Sequence, residues 1–171
     1  MPLTNGQFNT LKAAIISDPV AGPLRTAGDA YSLLAWCNAP SAVSAWRPAV
    51  TADEIYAAHK INDYIARSGT DATAERMAFD SMTRVGRIHN FTIAAVRAGV
   101  ANIFSSTGGA ANSSRTAIFA AAQEFATNAQ AAIGGTQQSV GNTSQMSETV
   151  TALKRSFGDL VSDSEVNRLI V

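Results

Sequence analysis

The residues able to carry chemistry are few and scattered. His59 and His89 are the only histidines, and they fall on different predicted segments. Neither has a second His or Cys at metal-ligand spacing, so no metal site is expected. His59 lies near the inner face of its predicted helix and reads as a hydrogen-bonded structural residue. His89 sits at a helix junction beside Arg87 and Asn90, where a capping or surface role outweighs general base catalysis. Cys37 is the single cysteine. Its setting, Ala35-Trp36-Cys37-Asn38, matches no cysteine-protease signature, and a small buried thiol is the better reading. No Gly-x-Ser-x-Gly elbow supports a hydrolase triad. The run Gly108-Gly109-Ala110-Ala111-Asn112-Ser113-Ser114-Arg115-Thr116 precedes a helix, as phosphate-binding loops do. It lacks the loop lysine and its spacing, so it reads as a flexible loop. Asp53/Glu54 and Asp71/Glu75 are helix-start acids, and nothing singles out a two-carboxylate glycosidase site. Arg84, Arg87 and Arg97 form a modest basic region, read as a solvated face, with a phosphate or a partner's acidic groups as the alternative. The chain is thus expected to be no enzyme and to hold no cofactor.

The chain has 171 residues, enough for one domain with a real core. Charged residues are only 15% and formal net charge is zero, below the usual quarter, which weights modestly toward assembly. A neutral surface also argues against sequence-independent nucleic-acid binding. The lone cysteine excludes an intrachain disulfide. The start Met1-Pro2-Leu3-Thr4-Asn5 lacks the basic and apolar regions of a signal peptide. No apolar run is long enough for a membrane span.

The elements expected to position these residues are helices. Thr4 and Gln7 are spaced as a capping box before Phe8, Leu11 and Ile15. Asp18-Pro19 stops that helix and opens a turn that Gly22-Pro23 breaks. A helix over about 29–37 follows, then a loop over 38–50 between Pro40 and Pro48. Trp46 in that loop either plugs a core edge or contacts a neighbouring subunit. Thr51 and Glu54 form the cleanest capping box, opening a helix to about Arg67 with Ile55, Ala58, Ile61 and Ile65 inward. Ser68-Gly69 stops it. Thr70 or Asp71 caps the next helix, carrying Met77, Met82 and Val85 to Gly86. Asn90 or Thr92 starts another, through Val96, Val100 and Phe104. A loop over 105–114 leads to the longest helix, 113–133, with Ile118, Phe119, Ala122, Phe125, Ala126, Ala129 and Ile133 as its stripe. Gly134-Gly135 caps it.

Residues 136–147 turn polar and read as a linker. Residues 148–157 suit either strand or helix. Ser162 and Glu165 open a short helix with Val166, Leu169 and Ile170. The expected fold is mainly α: a compact bundle of about five to six helices over 1–135. A polar linker and a short C-terminal docking segment (helix, or a small hairpin) fill 136–171. That segment docks on its own bundle or on a neighbour.

The order of features resembles a family of small proteins encoded among the structural genes of tailed bacteriophages. Leu11-Lys12-Ala13-Ala14-Ile15 with Asp18-Pro19 is matched first, then Asn38-Ala39-Pro40. Trp46-Arg47, Val50 and Glu54-Ile55 follow. The most specific element is Val96-Arg97-Ala98-Gly99-Val100 with Ile103-Phe104, followed by Arg115-Thr116-Ala117. Gly158-Asp159-Leu160 closes the series. The tail departs from the family, which tends to a β-like Phe-Glu-Gly where this chain has Ser156-Phe157-Gly158-Asp159. The resemblance carries no catalytic residues. What it implies is genomic company among head, neck and tail proteins, and the expectation built on it is a virion protein assembled in the bacterial host cytoplasm, a homo-oligomeric ring subunit of the neck (head–tail connector), tail or baseplate with other virion proteins as partners. The candidate interface residues are Trp46, Arg47, Arg97, Phe157, Leu160, Val166, Leu169 and Ile170. The alternatives are a small intracellular phage binding or regulatory protein and a virion-associated cell-wall hydrolase.

Overall fold

The computed structural model describes residues 2–62, 72–105, 109–143, 146–156 and 160–170. In chain order the elements are α1 (Asn5–Ser17), α2 (Ala21–Ala27), α3 (Ala30–Asn38), β1 (Pro40–Trp46), β2 (Val50–Thr51), α4 (Ala52–Ala58) and α5 (Ala72–Met82). Then come β3 (Ile88–His89), α6 (Ala94–Ile103), α7 (Gly109–Ala121), β4 (Gln123–Thr127), α8 (Asn128–Ile133), β5 (Gly135–Thr143), β6 (Met146–Arg155) and α9 (Asp163–Ile170). Four strands form a sheet in the order β4-β1-β6-β5, and β2 pairs with β3. In the larger sheet β1 runs parallel to β6 with Ala45 opposite Leu153. The β2–β3 ladder is antiparallel, Val50 opposite His89 and Thr51 opposite Ile88. The expected all-α bundle is therefore corrected to a mixed α/β fold.

The physical reasons for the correction lie in three segments. The first is the presumed loop 38–50, which contains β1. Pro40 is the first residue of that strand, where a missing N–H costs little, and Pro48 lies beyond its end. The prolines bracket the strand instead of breaking it. The second is the presumed long helix 113–133, which is interrupted. Helix α7 starts earlier, at Gly109, and stops at Ala121. After β4, Thr127 and Gln130 make a reciprocal capping box that opens α8, with Thr127 Oγ1 accepting from the Gln130 N–H at 3.2 Å. Phe125, assigned to the apolar stripe, is exposed on β4. The third is the presumed linker 136–147, which supplies β5 and the start of β6. Of the two alternatives for 148–157, the strand forms through Arg155, as β-branched Thr149, Val150 and Thr151 favour.

Other expectations meet local physics. Thr4/Gln7 and Thr51/Glu54 are complete capping boxes. Asp18 opens α2 by accepting from the Val20 and Ala21 N–H groups, each at 2.8 Å. Gly22 and Pro23 do not break this helix. They occupy its first turn, where Pro sacrifices no intrahelical bond. Helix α4 ends at Ala58, not near Arg67, and Ile61 is exposed. Ile65 and the stop and cap proposed over 68–71 lie outside the described residues. The next helix ends at Met82, not near Gly86; Met77 and Val85 are exposed, while Met82 is buried.

The chain divides into two compact units. One comprises residues 1–45, 125–136 and 153–171, and the other 46–124 and 137–152. The first unit packs Phe8, Leu11, Ile15, Leu33, Cys37, Ala129, Val161, Val166 and Leu169 into its main core. The second packs Trp46, Val50, Ile55, Phe79, Phe91, Val100, Phe104, Ile118 and Phe119. The segment after residue 136 is thus no appended tail. It supplies core residues to both units, and α9 packs on α3 and α2 in the first.

Within the first unit, Gly134 and Gly135 meet two different demands. Gly134, the C-cap of α8, has φ 76° and ψ −163°, a region open essentially to glycine alone. At Gly135 a Cβ would fall on the Lys154 carbonyl oxygen and within 3.1 Å of the Ser156 nitrogen. Both neighbours are backbone and have no rotamer through which to give way. Gly135→Ala is expected to lower stability by about 1–3 kcal/mol. Chemical denaturation measures this, and a loss below the error of the fit would show that the strand shifts freely.

Candidate interaction surfaces

Trp46-Arg47 and Arg97, three of the candidate interface residues, meet in the second unit. Trp46 ends β1 fully buried, edge-on to Phe119 with ring centroids 5.9 Å apart. Its Nε1–H donates to the Gln138 carbonyl at 2.9 Å. The Arg97 guanidinium lies over the indole, 5.2 Å from the ring centroid. Arg97 Nη1 donates to the Phe91 carbonyl and, at 3.0 Å, to Gln138 Oε1. Its Nε has no hydrogen-bond partner. Burial without a carboxylate at hydrogen-bond distance in these contacts lowers the Arg97 pKa from its usual value. Trp46 and Arg97 are core residues here, corrected from candidate interface. A Trp and an Arg separated by fifty residues look like surface anchors in sequence, because sequence does not show that they stack on one another.

Arg47 joins strand, helix and turn. Its backbone N–H donates to the Ala122 carbonyl and its carbonyl accepts from the Phe91 N–H, both at 3.0 Å. Its Nη1 donates to the Ala121 carbonyl at 2.8 Å and stands 2.7 Å from Glu54 Oε1. The backbone N–H of Thr51, then the Arg47 guanidinium, hold the Glu54 carboxyl at about 2. A carboxyl depressed on folding stabilises the fold above its unfolded value and loses that contribution as pH falls toward the folded one. Glu54→Gln is therefore expected to flatten the acid limb of stability between about pH 4.5 and pH 2. The effect is small because the pair is solvent-screened. Parallel urea titrations of both proteins across that range check it, and identical acid limbs would remove Glu54 from the account.

The remaining candidates separate cleanly. Val166 and Leu169 are buried in the first unit and Ile170 is half-buried against the same core, so none of the three offers a free face. Leu160 is 63% exposed. Phe157 lies outside the described residues. The basic region does not hold together: Arg84 and Arg87 are exposed, while Arg97 is interior. Arg115 is also interior, its Nη1 donating to the Phe104 carbonyl at the end of α6. It therefore caps a helix inside the unit and does not face a phosphate. Cys37 is fully buried and its pKa is pushed up to about 12 by desolvation. His89 Nε2 lies 2.8 Å from the Met82 carbonyl.

Sequence reading missed a small aromatic cavity in the second unit. It holds about 160 Å³ and is lined by Tyr56, His59, Ile61, Phe79 and Asp80. The His59 ring stands 4.8 Å from both Tyr56 and Phe79, and Phe79 meets Phe104 edge-on at 5.5 Å. Tyr56 and Ile61 form an exposed rim. This volume is below the usual range for a small-molecule site and suits a single side chain. The available signal was the pair of aromatics at 56 and 79 beside His59, but their proximity depends on α4 ending at Ala58. Among the described residues no three His, Cys, Asp or Glu side chains are grouped to hold a metal ion. No described helix is long and apolar enough to cross a membrane.

Comparison with protein-family models, with curated proteins and with solved structures finds no match for this chain.

Proposed function

We propose that the chain is a non-enzymatic structural subunit of a tailed-phage particle, placed in the neck or in a tail or baseplate ring and acting through protein–protein interfaces. The support from sequence is the resemblance carried by Val96-Arg97-Ala98-Gly99-Val100 and its companions. The single structural observation that favours an interface role is the number of large apolar side chains left in solvent on a thinly charged chain. In the first unit Ile16 and Val20 flank the Asp18-Pro19 turn and Tyr31 is 84% exposed. In the second, Val85 is 92% exposed three residues before the exposed Ile88. Scattered apolar exposure is ordinary, but paired exposure at turns is a contact surface in waiting.

Mass spectrometry of purified virions from the encoding phage tests the proposal. The chain is expected in the particle at a fixed whole-number copy count. Abundance in infected-cell lysate with absence from purified particles would sink the structural role and favour a regulatory one.

A further inference from the structure

The outer edge of β5 has a composition that native edge strands usually avoid. Strand β5 spans nine residues, Gly135–Thr143, and stands at the end of the order β4-β1-β6-β5. Among the described residues β6 is its one strand neighbour. A strand in this position presents backbone donors and acceptors to solvent, and native sheets guard it with Lys, Pro, inward charge or brevity. Strand β5 has no such guard. Gly-Thr-Gln-Gln-Ser-Val-Gly-Asn-Thr contains no Lys, Arg, Asp, Glu or Pro, and Gly135, Thr136, Gln137 and Ser139 are exposed. The other edge, β4, is five residues long and carries Glu124.

We infer that β5 pairs edge to edge with β5 of a second copy of this chain, antiparallel about a two-fold axis at Ser139, so that one continuous sheet runs through a dimer. Charge selects this occupant. A neutral strand meeting itself brings no like charges together, whereas β4 meeting itself about its middle residue, Phe125, would make the two Glu124 side chains diagonal neighbours. Side-chain chemistry agrees. Thr, Gln, Ser and Asn each carry donor and acceptor capacity and are complementary to themselves. Ser139 Oγ already stands 2.7 Å from Thr151 Oγ1, so this surface pairs hydroxyls between strands. Length selects the register. Ser139 is the middle residue of β5, and a two-fold axis there places all nine residues opposite partners. The inference stands whether or not the chain is a particle component.

Sedimentation velocity of the full chain over a concentration series provides the test. Wild type is expected to dimerise. Ser139→Lys sets two lysines directly opposite and weakens association about fivefold, and Ser139→Glu does the same. An equimolar mixture of the two variants recovers it, which no purely structural role of Ser139 predicts. Ser139→Ala, a control for the Thr151 contact, keeps wild-type association. Should a charged variant fail to fold, amide exchange of wild type decides instead, with β5 protection rising with concentration. A wild-type monomer at every concentration overturns the inference. So does an oligomer that Ser139→Lys leaves unchanged, or a mixture that fails to recover association.

Discussion

Trp46→Ala is expected to destabilise the second unit by about 3–5 kcal/mol, the range for removing a large aromatic from a closed core. Three losses coincide at this position. The ring leaves a cavity against Phe119, the Gln138 carbonyl loses its indole donor, and Arg97 loses the face over which it lies. A buried guanidinium over an empty space is worse placed than one over a π surface, because its desolvation cost remains while the attraction is gone. Trp46→Phe separates these terms. It keeps an aromatic ring beneath Arg97 and loses the N–H, so it should cost about 1–3 kcal/mol through the unsatisfied carbonyl. Urea unfolding followed by circular dichroism gives both values. If Trp46→Ala unfolded at the wild-type midpoint while particle incorporation failed, Trp46 would be a contact residue after all and the packing account would be wrong.

What could be read from the residues was the local chemistry that requires no partner in space. Thr4/Gln7 and Thr51/Glu54 lie three positions apart, and a capping box closes over that distance alone. Cys37 as a buried thiol followed from the absence of any companion, and α3 from Asp29 and the run behind it. The strands were hidden because their sequences lack the usual strand signals. Strand β1 is Ser-Ala-Val-Ser-Ala flanked by Pro and Trp, and β5 is mostly polar, with Val140 its one large apolar residue. Helix propensity and hydrophobic period therefore favoured helix or loop at both. Their pairing is set by contacts distant in sequence, such as Ala45 opposite Leu153. Four of the candidate interface residues turned out to be interior for a related reason. Large residues near loops and chain ends look available for contact, but availability is decided by burial, and Trp46, Arg97, Val166 and Leu169 are buried. The short Thr127-Asn128-Ala129-Gln130 box was legible by the same rule as the other two, and an uninterrupted Ala-rich apolar stripe concealed it.

The second large effect is expected at the C-terminal helix. Leu169 is fully buried among Phe8, Leu11, Leu33 and Val166, and Leu169→Ala should cost about 2–5 kcal/mol. Helix α9 has only eight residues and would be marginal alone, so its order derives from this packing and from side-chain anchors. Arg25 Nε donates to the Leu169 carbonyl at 2.7 Å. Asn38 exchanges two hydrogen bonds with the Val161 backbone, at 3.0 and 2.9 Å. Glu165 accepts from the Leu3 N–H at 2.6 Å and from the Ser162 N–H at 2.9 Å. These bonds tie the two ends of the chain into one core, so loss at Leu169 propagates to α1 and α3. Leu160→Ala is the contrasting variant. Leu160 is mostly exposed and its truncation should change stability by less than about 0.5 kcal/mol. Thermal denaturation of the pair distinguishes a helix that builds the fold from one that merely rests on it. Equal and small effects would mean that α9 is held by its hydrogen bonds alone, whereas a large effect confined to Leu169 leaves Leu160 as an exposed large apolar residue of this segment, free to meet another protein.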